Sequence, residues 1–220
     1  MDGIHDMGSM HGFGRVPLEQ DTVFTHDWQK RAFALTEALA WSVPFCADEH
    51  RHSIERIAPA DYLNRDYFEK WVIGVQTLLQ EAGLVDCEEL VTGQKRFDIV
   101  QESHPAVTPK ELIADTKAGA ALSFAGQSSA AKFNVGQTVR VGVDCPAGHT
   151  RVPRYVRNRI GKIVKDLGVF QFADAVAAKL GPCPQHCSTV EFDARSLWGA
   201  DAEENQRLYV DLWEAYLERH

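Results

Sequence analysis

No stretch of this sequence approaches the roughly 18 consecutive apolar residues of a membrane-spanning helix, so a transmembrane protein is not expected. The amino-terminal run MDGIHDMGSMHGFGRV has neither a basic start nor an apolar core and does not read as a secretory signal. Cysteine is sparse. Cys46, Cys87, Cys145, Cys183 and Cys187 are odd in number and lack the spacing of a disulfide framework, which predicts a reduced, cytoplasmic protein. Basic charge is also short. Against 31 acidic residues stand 23 lysines and arginines, a net charge of −8, which argues against non-specific nucleic-acid binding by the whole surface. A local basic site remains open. The sequence has no HExxH, P-loop, GxSxG or helix-opening GxGxxG. No cysteine cluster is tight enough to hold a transition metal by itself. By motif, the chain is not a self-sufficient enzyme.

What is present divides the chain in two. Residues 1–26 read as an extended arm, with Gly3, Gly8, Gly12 and Gly14 costly to order. Ile4, Met7, Met10 and Phe13 on that arm leave two readings, a floppy terminus or a strap lying on a partner. Residues 27–118 read as a helical domain. Asp27 caps a helix to about Trp41 with Trp28, Phe33, Leu35 and Leu39 as apolar members and Pro44 as its stop. Asp48 caps DEHRHSIERI, ended before Pro59, with Arg51 and Glu55 spaced to pair. Asp66 with Glu69, Asp86 with Glu89, and Thr108 with Glu111 are capping-box patterns. Pro109 stands at the first helical position of the last of these. The small-residue run AGAALSFAGQSSAAKF predicts a linker at 119–131. From 132 to 220 the apolar period becomes two, in QTVRVGV, TVEF and RLYVDLW, with a further strand in IGKIVKD. Short strands broken by Gly and Pro turns suggest a small barrel. The expected class is α+β, helices first and barrel second.

Three clusters carry chemistry. CPQHC, at Cys183–Cys187, brings soft ligands together, but no second ligand pair follows and Pro182 and Pro184 favour a rigid exposed loop. His50 and His52 sit two apart on a helix and chelate poorly, and His5, Asp6 and His11 sit in a Gly-rich arm. The third cluster is HTRVPRYVRNR, which sets Arg151, Arg154, Arg157 and Arg159 within residues 149–159 of an acidic chain. A solvated strand edge explains such residues in many proteins. A nucleic-acid groove would want stacked aromatics, and only Tyr155 interleaves. Arginine differs from lysine in offering a planar fork suited to paired oxyanions.

The segments MDGIHDMGSMHGFGRV, RHSIER, GHTRVPRYVRNRIG, PQHCSTVEF, SLWG and VDLWEAYLE, in that order, resemble the beta subunit of nitrile hydratase. The resemblance runs from residue 1 to about 218 and thins between roughly 93 and 130. It implies a lyase that hydrates nitriles to amides and is active only as an alpha–beta complex, paired into an alpha2–beta2 heterotetramer. The implied cofactor is cobalt(III) or iron(III), bound by the alpha subunit through a CxxCSC motif whose cysteines include a sulfinate and a sulfenate. This chain contains no CxxCSC. The resemblance names the barrel as SH3-like, lays the arm over the alpha subunit, and looks closer to cobalt-type than iron-type members. No nucleic acid or membrane is an expected partner.

Residue by residue, the resemblance implies that Arg51, in RHSIER, and Arg151, in GHTR, hydrogen-bond the oxygens of the oxidised cysteines. Tyr67 and Trp71, one helical turn apart in DYFEKW, match aromatic channel positions, although the same spacing also describes a core stripe. His50 stands where the family often has an apolar residue, Ala47 where a leucine is common, and Phe68 where many members have tyrosine. The first two changes predict a roomier, more polar channel mouth. Three other functions compete. In thiocyanate hydrolase the beta-like region is divided between two chains, whereas both halves lie here on one. An activator or metallochaperone for the alpha subunit resembles the helical half and lacks most of the barrel. A module that binds an anionic partner such as nucleic acid would show salt-sensitive binding without any alpha chain.

Overall fold

The computed structural model describes residues 2–15, 18, 22–43, 45–119, 123–124 and 130–220. The chain forms two compact units. One contains Gly3–His5 and His11–Ala120, the other Met1–Asp2, Asp6–Met10 and Ala121–His220. Most of the linker run and parts of the arm, together with Pro44, lie outside the described residues. Among the described residues no helix is long and apolar enough to cross a membrane.

The helical unit is built from α1 (Asp27–Ser42), α2 (Ala47–Glu55), α3 (Pro59–Asn64), α4 (Tyr67–Glu81), α5 (Cys87–Thr92) and α6 (Pro109–Ala118). Three starts follow the capping signals. Asp66 N–H donates to Glu69 at 2.8 Å, Asp86 accepts from Glu89 N–H at 2.8 Å, and Thr108 Oγ1 accepts from Glu111 N–H at 3.3 Å. Two starts differ. His26 precedes α1 and Cys46 precedes α2, so Asp27 and Asp48 are helical residues and not caps. Their carboxylates still favour the helix N-terminus through its dipole. Pro59, expected as a stop, also opens α3, because a ring that lacks an N–H costs nothing at the first helical position.

In α1 the buried face is Gln29, Ala32 and Thr36, whereas Trp28 and Leu35 are exposed. Gln29 is buried because its side-chain oxygen accepts from the N–H groups of Thr25, at 2.7 Å, and His26, at 3.1 Å. Helix α4 packs on both α1 and α2. Its Gly74 faces α2 so closely that a Cβ there would stand 2.7 Å from Ser53 Oγ and 2.9 Å from Ile54 Cγ1. Only glycine lets these two helices approach this far.

The second unit carries a five-stranded antiparallel sheet in the order β4-β3-β2-β1-β5. The strands are β1 (Thr138–Val141), β2 (Ile160–Phe170), β3 (Gln185–Asp193), β4 (Arg207–Trp213) and β5 (Leu217–Arg219), with two short helices, α7 (Ala173–Ala177) and α8 (Ala194–Trp198). Alternation puts Val139, Val141, Ile163, Val190, Phe192 and Leu212 into one core, joined by Val156. Val143, which continues the sequence alternation, lies beyond β1 and is exposed. Strand β2 is irregular at Ile163/Lys165 and Asp166/Gly168, which bends it along β3. β4 and β5 are the edges of the sheet. The closure that a barrel requires is not among the strand pairings of the described residues.

Candidate functional site

In the helical unit, α2 carries Ala47, His50 and Arg51, and α4 carries Tyr67 and Trp71. Because α2 and α4 pack together, His50 meets Trp71 edge-on, with ring centroids 5.3 Å apart, and His50 Nε2 lies 3.2 Å from the Trp71 carbonyl. That carbonyl requires the proton on Nε2. Tyr67 stands 5.6 Å from Trp71 and is exposed, with Phe68 buried beside both. The structure therefore brings His50, Tyr67 and Trp71 into one aromatic patch. His50 itself is only 8% exposed and is held in the helix–helix packing. Ala47 is exposed at the first residue of α2.

Arg51 does not pair with Glu55, as the spacing suggested. Its Nη1 donates to Asp48 Oδ1 at 2.6 Å, one helical turn back, and Glu55 lies 3.3 Å from His52 Nδ1. The Asp48 side chain is 8% exposed and that of Arg51 46%. One corner of the guanidinium is fixed on a buried carboxylate while the remainder faces outward.

Burial holds the His50 imidazole below its ordinary range. The charge of Arg51 acts in the same direction, and the bond to the Trp71 carbonyl opposes both. A histidine with a depressed folded-state pKa is neutral in the fold while the unfolded chain takes a proton first. The associated stability is complete above the ordinary value of about 6.5 and is lost as pH falls toward the folded value. Thermal melts at about pH 7.5 and about pH 5.5 are expected to differ less in His50→Leu than in the wild type. An unchanged difference would show that His50 does not report this linkage.

In the second unit Arg151 lies in an irregular stretch before a 3-10 turn, Arg154–Val156. Its backbone N–H donates to Tyr216 Oη at 3.1 Å, and Tyr216 in turn donates to Asp174. Burial, reinforced by Asp174, drives the Tyr216 hydroxyl far above its ordinary range. Burial also raises the Asp174 carboxyl, against the Tyr216 hydrogen bond. The Arg151 guanidinium makes no ion pair among the described residues. Tyr216 and Asp174 also line a cavity of about 450 Å³ with Cys145, Thr150 and Phe172.

Arg157 is ion-paired, and the exposed Arg154 meets the arm through its backbone. Arg154 N–H donates to Asp6 Oδ2 at 2.7 Å, and Arg157 Nη1 donates to Asp2 Oδ1 at 2.5 Å. Sequence reasoning missed Asp2, Asp6, Asp174 and Tyr216. For Asp2 the signal was its charge, opposite to that of the arginine segment. Asp6 accepts the backbone N–H of Arg154, a contact that charge does not announce.

CPQHC is not wholly a loop, because Gln185, His186 and Cys187 open β3. His186 Nδ1 lies 3.0 Å from Asp166 Oδ2. Cys187 is buried and its thiol is pushed up to about 12, by burial first and then by Asp211 and Asp166, which leaves it unreactive. Within neither unit do three His, Cys, Asp or Glu ligand atoms of described residues gather into a metal cradle.

Residues 1–118 match the family model "Nitrile hydratase beta subunit, N-terminal", and residues 124–219 match "Nitrile hydratase beta subunit, C-terminal". The chain belongs to the nitrile hydratase beta subunit family. It is 40% identical over 220 residues to the "Nitrile hydratase subunit beta" of Pseudomonas putida, with 99% of each chain covered. It is 33% identical to the "Cobalt-containing nitrile hydratase subunit beta" of Pseudonocardia thermophila, covering 99% of this chain and 96% of that one. It is 34% identical to the "Low-molecular weight cobalt-containing nitrile hydratase subunit beta" of Rhodococcus rhodochrous, covering 99% of each. A solved thiocyanate hydrolase from Thiobacillus thioparus, in its recombinant apo form, matches 44% of this chain and 82% of that one at 28% identity. Its TM-score of 0.42 is too low to carry an argument.

Proposed function

We propose that this chain acts as the beta subunit of a cobalt-type nitrile hydratase, a cytoplasmic lyase that turns nitriles into amides as an alpha2–beta2 heterotetramer. The carrying observation is the match of both halves of the chain, at nearly full length, to beta subunits that include cobalt-containing enzymes. The likeness to the family also favours closure of the second unit as an SH3-like barrel, and the division into arm, helical domain, linker and barrel.

Among the described residues, those within either unit do not gather as ligands for the metal. They suit its surroundings: fixed cations, a phenol and an indole. When bound in the alpha subunit, the trivalent metal supplies Lewis acidity. Arg51 and Arg151 neutralise the sulfinate and sulfenate oxygens through charge-assisted hydrogen bonds, roughly twice as strong as neutral ones. The anchoring of Arg51 on Asp48 supports this role, since an aimed guanidinium loses little freedom on meeting an oxyanion. Tyr67 donates a hydrogen bond toward the reacting nitrile or water. Trp71 and His50 form a wall beside it, and Ala47 leaves room at its edge.

The test is co-expression with an alpha subunit carrying CxxCSC. The purified complex is expected to hold stoichiometric cobalt and to convert nitrile to amide. A complex with iron in cobalt's place would overturn the metal assignment. A transient, metal-free pair without turnover would replace the reading with an activator.

A further inference from the structure

The arm residues Asp2, Asp6, Gly8 and Met10 lie in the same compact unit as the arginine segment. Residues 142–153 contain no helix or strand, so the backbone that carries Arg151 takes its shape from side-chain contacts. Val152 and Val156 anchor it to the core, and Tyr216 holds the Arg151 N–H. Backbone bonds of Asn158 and Arg159 with Val141 tie its far end to β1, and the arm adds further ties. Asp6 takes the Arg154 N–H on its carboxylate, and its carbonyl accepts from Arg154 Nη2 at 3.2 Å. Asp2 neutralises Arg157, whose side chain is 9% exposed and whose Nη2 donates to the Val152 carbonyl at 3.3 Å. The Arg157–Asp2 pair therefore holds both the arm and the residue next to Arg151.

Gly8 is shaped for the same contact. A Cβ there would stand 2.6 Å from the Tyr155 ring, so the arm backbone lies against that ring, and Tyr155 packs on Trp198 at 5.2 Å. A nearly buried guanidinium without its carboxylate is costly and would draw the segment toward water.

We infer that Asp2 and Asp6 are positioning residues for Arg151: through Arg157 and Arg154 they fasten residues 149–159 in the shape that presents the Arg151 guanidinium. The inference rests on the proposed role of Arg151 and adds the arm of this chain as its support.

The test uses the co-expressed alpha–beta complex carrying Asp2→Asn and Asp6→Asn together. Amide hydrogen exchange over residues 149–159 is expected to rise. The value of kcat is expected to fall on the order of tenfold or more with little change in KM, the signature of a misplaced group and not of lost binding. Asp2→Glu with Asp6→Glu keeps both charges and is expected to recover most of kcat. Wild-type exchange and turnover in the Asn pair, beside an inactive Arg151→Lys complex, would overturn the inference while leaving Arg151 its role. If Arg151→Lys retains full turnover, the proposed role of Arg151 falls. Exchange then decides the fastening alone: a rise in the Asn pair upholds it, and no rise overturns it.

Discussion

Lysine in place of Arg51 or Arg151 is expected to cut turnover of the alpha–beta complex by roughly a hundredfold or more, which corresponds to about 3 kcal/mol. Charge is conserved in both substitutions, so the loss isolates geometry. Lysine offers a compact ammonium, whereas two oxygens on neighbouring sulfurs are matched by the flat fork of a guanidinium. The two variants should differ in stability. Arg51 also neutralises Asp48, a carboxylate buried in α2, and a lysine there reaches Asp48 or the oxyanion but not both. Arg151 has no ion pair to lose among the described residues, and only its backbone is tied, to Tyr216. Arg151→Lys should therefore lower kcat with an unchanged melting temperature, while Arg51→Lys lowers both. Steady-state kinetics, thermal melts and the thiolate-to-metal charge-transfer absorption of the complex measure these separately. Wild-type turnover with fully oxidised cysteines in both variants would remove the arginines from the mechanism.

Phe192→Ala is expected to destabilise the sheet unit by about 3–5 kcal/mol, out of the roughly 5–15 kcal/mol available to a folded domain. Phe192 is fully buried in β3 and belongs to the cluster with Val139, Val141, Ile163, Val190 and Leu212. Its ring edge fills the space over Gly161, where a Cβ would stand 2.8 Å from it. Backbone hydrogen bonding in β2 and β3 limits how far the strands close over the gap, so a cavity remains. The melting temperature should fall on the order of 15 °C or more. Leu180→Ala serves as the comparison, since Leu180 is 74% exposed. Its effect should stay within about 0.5 kcal/mol. A Phe192→Ala melt that coincides with that of Leu180→Ala would show that this core does not carry the unit.

The helices α4, α5 and α6 were legible because their signals are local. Asp66 and Glu69, Asp86 and Glu89, and Thr108 and Glu111 each act across three residues, a distance that sequence fixes without any fold. Strands β1, β3 and β4 were legible from alternation, since a side chain on a strand has only two faces to choose from, while β2 showed only as the short run IGKIVKD. Helix α3 was hidden because Pro59 ends one pattern and begins another. The apolar face assigned to α1 matched only in part: Phe33 packs on Trp71 with ring centroids 5.9 Å apart, whereas Trp28 and Leu35 stay outside and Gln29 is drawn inward by the backbone donors of Thr25 and His26. Of the candidate site, the sequence supplied Arg51, Arg151, Tyr67 and Trp71 as residue types in recognisable surroundings. It did not supply their partners.

By itself the sequence determined the class, helices and then short strands, together with membership of the nitrile hydratase beta subunit family. It also supplied the arginine segment on which the proposed role of this chain rests. Tertiary structure decided the pairings. Arg51 turned to Asp48 and not to Glu55, since a buried carboxylate one turn back outcompetes the one ahead that lies against His52. Asp2 found Arg157 across 155 positions of chain. Attraction between opposite charges depends on distance through space and on exclusion of water, and neither is encoded in sequence separation.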